Sequence, residues 1–166
     1  MQVSYPFFRP SLEKILGRIA VSEDARRTVT THFGGEPVVI PNGVYVDRFD
    51  GAEVNPAWQG TPERPTVAFL GRMAEPRKGM PVLAAALPAI RRELPGIRVL
   101  VAGPGDPDEV RAQLRPEDVD ALEFLGAVSD ADKASLLRSV DVYIAPNTGG
   151  ESFGIILIEA MAAGAA

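Results

Sequence analysis

From residue 66 onward the chain alternates short apolar runs with helical segments, and this alternation limits the fold more than any other feature. The apolar runs are 66–70, 97–102, 122–125 and 141–145. Helical patterns follow at 80–94, 107–114 and 130–139, and a last one reaches about residue 163. Strands that alternate with helices predict an α/β fold, a Rossmann-like parallel sheet with helices on both faces. Right-handed crossovers and the common doubly wound order place the four strands as 3-2-1-4. The first and fourth strands are then neighbours where the winding reverses. Ligands of such sheets bind there, beyond the carboxyl ends of the strands. The loops 71–79 and 147–152 are therefore expected to face one crevice.

The first third reads differently. Pro10 suits a helix start, with Leu12, Ile15 and Leu16 on one face and Gly17 ending it. A short strand is expected at 18–21, then a helix capped by Ser22 that runs to Phe33 and stops at Gly34 and Gly35. Another strand covers 38–40, ahead of the turn at Pro41, Asn42 and Gly43. Residues 50–65 are rich in Pro, Gly and polar groups and read as a linker. The expected organisation is thus 1–49, a linker at 50–65, and a second domain at 66–166. Both ends look cut: the first residues open onto a helix, and the last follow a helix where a strand is due.

Composition removes several classes of function. The chain of 166 residues has no cysteine and one histidine, His32, so thiolate chemistry and multi-histidine metal sites are out. A net charge of −5 argues against a nucleic-acid binder. No apolar run approaches the roughly 20 residues that span a bilayer, and no signal peptide is legible, so the default compartment is cytosolic.

The loop 71–79 brings Arg72, Arg77 and Lys78 to the expected crevice. The loop 147–152 is glycine-rich and opens a helix, where free backbone N–H groups favour anions. Arginine offers a planar fork to phosphate and lysine a point charge, so together they suit a diphosphate. The competing reading is a solvated charge run. Glu151 would repel phosphate unless it serves another ligand group, and carboxylates accept hydrogen bonds from vicinal hydroxyls, which points to a sugar. Glu159 lies among apolar residues of the last helix and needs hydrogen-bonding partners there. Either a ribose diol or a structural salt bridge would supply them. Gly103, Pro104 and Gly105 follow the second strand and lack the third glycine of a dinucleotide fingerprint. Asp106, Asp108 and Glu109 read as a helix cap rather than a metal cluster. No general base is evident.

Gly71-Arg72, Arg77-Lys78-Gly79 and the run Glu151-Ser152-Phe153-Gly154 to Glu159 and Gly164 resemble the retaining glycosyltransferases of family 4, which have the GT-B fold. The two glutamates match that family's acid pair with seven residues between. Residues 40–44 and Phe49 resemble its interdomain segment, although Tyr45 stands where an acid is usual. Within the family, residues 75–80 and 149–154 look like the actinobacterial phosphatidylinositol α-mannosyltransferases.

The resemblance implies a partial GT-B fold and a site. Gly71, Arg72 and Lys78 would hold the donor diphosphate, Arg72, Lys78 and Glu151 being the catalytic set. Glu151 would take the mannose hydroxyls, with Ser152, Phe153, Gly154 and Ile155 around it, and Glu159 the ribose. Val128, Asp130 and Lys133 would line a guanine pocket. The reaction would move mannose from GDP-mannose to phosphatidylinositol, at the inner face of the plasma membrane in the full-length protein. No obligate cofactor is implied, though a diphosphate recruits Mg²⁺ itself. Residues 1–49 would be the last elements of the acceptor domain with the interdomain segment, and 66–166 an incomplete donor-binding domain. The rest of the acceptor domain, with the family's catalytic histidine, would be missing, so the piece alone is expected to be inactive and to carry an uncovered sheet edge. A UDP-sugar enzyme with a soluble acceptor, a noncatalytic nucleotide-binding module and a Rossmann oxidoreductase are the alternatives.

Overall fold

A computed structural model describes Ser11 and residues 14–166. The helix expected to open at Pro10 lies mostly outside the described residues; within them Ile15 and Leu16 are irregular and exposed. The chain forms two compact units, one of Met1–Gly43 with Glu151–Ile155 and one of Val44–Gly150 with Ile156–Ala166.

In the first unit, strand β1 (Ile19–Ala20) pairs in parallel with β2 (Val38–Val39). Between them runs α1 (Glu23–Phe33). Ser22 caps α1 as expected, its side chain accepting from Ala25 N at 3.1 Å. Gly34 and Gly35 end it with positive φ, and a Cβ on Gly35 would lie 2.7 Å from the Arg18 guanidinium.

The second unit opens with α2 (Val46–Asp50). Its parallel sheet consists of β3 (Thr66–Leu70), β4 (Arg98–Ala102), β5 (Leu122–Gly126) and β6 (Val142–Tyr143). The strand order is β5-β4-β3-β6, the order the alternation predicts. The helices are α3 (Met80–Glu93), α4 (Pro107–Arg111), α5 (Asp130–Ser139) and α6 (Ile155–Ala163, whose first residue groups with the other unit). Short 3₁₀ turns at Pro76–Lys78 and Pro116–Ala121 were not legible in the pattern.

Successive residues of each strand point to opposite faces, so the sheet feeds two cores. Ala68, Leu70, Leu100 and Ala102 pack against α5, α6 and Phe49 of α2. Phe69, Val99 and Val101 pack against Met80, Leu83 and Leu87 of α3 and Val110 of α4. Central strands buried on both faces explain why these runs are almost uninterruptedly apolar. The ladder extends past β6: Ala166 N donates to Asp141 O and Tyr143 N to Ala166 O.

The second unit begins at Val44, earlier than the boundary expected at 50–65. Phe49 is 2% exposed within its core. Residues 50–65 are a fixed strap along the amino ends of the strands. Asn55 N donates to Ser139 Oγ at 2.8 Å, and Arg98 Nη2 donates to Ala57 O at 3.0 Å. Asp141 accepts from both Thr66 N and Thr66 Oγ1, at 2.7 and 3.1 Å, and its carboxylate lies so close to Gly60 that a Cβ there would meet it at 2.0 Å. Proline and glycine made the strap look like a linker, but each contact here is long-range.

Asp118, 1% exposed, joins the turn before β5 to α3: Arg115 Nε lies 2.6 Å from it and Arg91 Nη1 3.6 Å. Arg115, chiefly by its hydrogen bond, holds this carboxyl below its ordinary value of 3.8, against the opposing effect of burial. A depressed folded-state value means the contribution is complete above the unfolded value and is lost as pH falls through the depressed one. Acid unfolding followed by circular dichroism is expected to show Asp118→Asn flattening the stability curve below pH 3.8 while lowering stability at pH 7.

Candidate donor site

The crevice lies at the carboxyl end of β3. Gly71 N continues the ladder by donating to Ala102 O at 3.0 Å, and Met73 N donates to Pro104 O at 3.0 Å. The loop then tightens into the 3₁₀ turn and ends at Gly79. Gly79 has φ +79°, and a Cβ there would stand 1.9 Å from Pro146 O, beyond β6. Thr148 N donates to Arg77 O at 3.0 Å, and Arg77 Nη1 donates to Gly150 O at 3.2 Å. Thus the loop after β3 and residues 146–150 after β6 meet, as the strand order requires. Gly103 brings in the β4 loop: with φ +132°, its missing side chain lets Gly71 O approach where a Cβ would be 2.1 Å away.

These loops enclose a cleft of about 450 Å³ whose lining includes Gly71, Arg72, Lys78 and Val128. All are among the expected donor residues. Glu75, Arg77, Gly103 and Ile156 also line it. Of these, Arg77 was expected at the crevice, whereas the Gly-Pro-Gly run of Gly103 reads only as an incomplete dinucleotide fingerprint and Ile156 carries no sign. Glu75 and Arg77 form an ion pair. The Arg72 guanidinium is exposed and makes no hydrogen bond or ion pair among the described residues. The Lys78 stem lies 3.4 Å from where a Gly71 Cβ would be, so glycine keeps room for it.

One turn beyond Ile156 on α6 stands Glu159, 8% exposed. Its Oε1 accepts from Lys133 Nζ at 2.8 Å. Its Oε2 is buried without a hydrogen-bond partner among the described residues. Of the two readings of the sequence, the salt bridge is present, and it leaves one buried oxygen in need of a donor. Lys133 also lies 5.6 Å above the Phe49 ring. Asp130 is exposed and pairs with Arg48 at 2.9 Å. The hydrogen bond and charge of Arg48, with Lys133 adding to them, hold the Asp130 carboxyl below its ordinary value of 3.8. Arg48 was missed in the sequence because its helix is too short to show a period.

The other expected residues fall in the first unit. Glu151 and Ser152 are exposed, Phe153 and Gly154 are half-buried, and Ile155 opens α6 at 40% exposure. Ser22 Oγ donates to Ser152 O at 2.5 Å, tying this segment to the start of α1. Asp106 caps α4 by accepting from Asp108 N at 2.9 Å, so that acidic cluster has a structural task. No metal-binding group of three or more acidic or histidine residues occurs among the described residues.

The model of the family described as "Glycosyl transferases group 1" matches residues 64–166, the sheet and the crevice together. The chain belongs to this family. Group 1 relatives include the phosphatidyl-myo-inositol mannosyltransferase of Mycobacterium tuberculosis H37Rv, 54% identical over 95% of this chain and 41% of that protein. The enzyme of the same name from Mycolicibacterium smegmatis is 53% identical over all of this chain and 42% of its own length. The chain therefore spans about two fifths of the curated relatives it matches. Among solved structures, Anabaena Alr3699/HepE, determined with UDP and glucose, superposes with a TM-score of 0.79 at 19% identity, covering 99% of this chain and 47% of that one. Sucrose-phosphate synthase from Thermosynechococcus elongatus gives 0.75 at 23% identity, covering 99% and 43%. The group 1 fold seen here is that of the GT-B glycosyltransferases.

Proposed function

We propose that this chain carries the sugar-nucleotide site of a retaining mannosyltransferase that moves mannose from GDP-mannose to phosphatidylinositol. The observation that carries the donor site is Glu159: a buried carboxylate with one oxygen on Lys133 and the other without a donor among the described residues, one turn from a cleft lined by Arg72 and Lys78. A ribose diol supplies hydroxyl donors to such an oxygen, and the two cations suit the diphosphate beside it. As the glycosidic bond breaks, charge develops on that diphosphate. Cations fixed in advance stabilise it without reorganising. Asp130, Lys133 and Val128 are assigned to the guanine. Glu151, with residues 152–155, is assigned to the mannose on the resemblance. Mannose and phosphatidylinositol are favoured by the names of the mycobacterial relatives. On this reading the full-length protein would meet its lipid acceptor at the inner face of the plasma membrane.

Titration calorimetry with GDP and UDP tests the donor assignment. GDP is expected to bind more tightly than UDP, and Arg72→Ala and Glu159→Ala each to weaken GDP by about tenfold or more, the scale of one charged hydrogen bond. A UDP preference would discard mannose but keep the glycosyltransferase. A folded protein that binds neither nucleotide would remove the donor site.

A further inference from the structure

The polar groups around Glu159 continue outward as a line of alternating charge that starts on α2, outside the residues assigned to the donor. Arg48 Nη2 is 2.9 Å from Asp130 Oδ2. The other oxygen, Asp130 Oδ1, is 4.0 Å from Lys133 Nζ. Lys133 Nζ is 2.8 Å from Glu159 Oε1. Asp130 and Lys133 stand three residues apart on α5, a spacing at which opposite charges pair unaided. Lys133 thus has two carboxylates within reach and sits on the buried one. Arg48 is what occupies the competitor.

We propose that Arg48 is a positioning residue for the ribose-binding carboxylate: by holding Asp130 it leaves Lys133 on Glu159, with Oε2 presented to the donor ribose. The inference rests on the donor reading above. Without Arg48, Asp130 closes on Lys133 and the Lys133–Glu159 bond loosens. Phe49, next in sequence, adds to the same arrangement, its ring lying 5.6 Å below Lys133 Nζ. Arg48 therefore acts on the ribose through two other side chains and touches no substrate.

The test compares GDP with 2′,3′-dideoxy-GDP, which lacks both ribose hydroxyls, so base and diphosphate contributions cancel in the ratio of dissociation constants. The unmodified protein is expected to favour GDP by about tenfold. Arg48→Met should bring the ratio close to one, and Arg48→Lys should keep most of it. Adding Asp130→Asn to Arg48→Met should restore the ratio, because the competing carboxylate is gone. The side chains of Arg48 and Asp130 are 45% and 74% exposed, so these changes spare the core. If Arg48→Met weakens both nucleotides equally, or the double variant fails to restore the ratio, Arg48 has only a structural role and the proposal is overturned. If the unmodified protein shows no preference between the two nucleotides, the ribose assignment of Glu159 fails first and takes the inference with it.

Discussion

Replacing Lys133 by methionine will destabilise the protein by about 3 kcal/mol, although lysine is a surface residue in most helices. The reason is its partner. The Glu159 side chain is 10% exposed and that of Lys133 21%, so the pair is largely withdrawn from water. Breaking a buried pair by removing one member strands the other charge, typically at about 3–5 kcal/mol. The lower end applies because Lys133 keeps some solvent contact. The informative control is the double variant Lys133→Met with Glu159→Met. Removing both charges together is often neutral, so its stability should return to within about 1 kcal/mol of the unmodified protein. Urea unfolding of the unmodified protein, Lys133→Met, Glu159→Met and the double variant gives the coupling directly. Additive losses would mean that Glu159 does not depend on Lys133. The double variant should also bind GDP about tenfold or more weakly, which separates what the pair does for the fold from what Glu159 does for the ligand.

The second large effect is expected at Gly79. Any other residue at φ +79° costs about 1–2 kcal/mol in backbone conformation alone. An alanine Cβ would also stand 1.9 Å from Pro146 O, so one loop must move. Together these predict a loss of about 2–4 kcal/mol for Gly79→Ala. Gly126 is the matching control: its φ is +68°, but nothing lies within 4 Å of an added Cβ. Gly126→Ala should therefore cost only the conformational part. The difference between the two variants isolates the contact that joins the loop after β3 to the loop after β6. Nucleotide affinity should fall only in Gly79→Ala, because the displaced loop carries Arg72 and Lys78. Equal effects from both variants would mean that the Pro146 contact does not set the crevice.

Much of this arrangement was readable from residues alone, for a definite reason. The strands β3 and β4 are buried on both faces, so the sequence shows uninterrupted apolar runs separated by helical ones. Chirality and strand order then leave a single place for the crevice. Arg72 and Lys78 belong to the loop that follows a strand end, and glycines mark where loops approach one another, so these lining residues of the cleft were legible too. What stayed hidden depends on contacts between distant residues. Nothing local in α2 shows that Phe49 belongs to the core or that Arg48 reaches Asp130. The strap at 50–65 has the composition of a linker, and only its bonds to Ser139, Arg98 and Asp141 make it part of the second unit. For Glu159 the sequence offered a salt bridge or a ribose, where the structure has one oxygen paired and one without a donor among the described residues.

The measurement that bears most directly on the donor site is a crystal structure of the protein with GDP bound. The diphosphate is expected within hydrogen-bonding distance of Arg72 and Lys78, the ribose hydroxyls on Glu159 Oε2, and Lys133 still on Oε1. The nucleotide lying instead in the groove between the strap and α5, lined by Arg48, Asn55 and Ser135, with the Glu159 oxygen still without a donor, would contradict it.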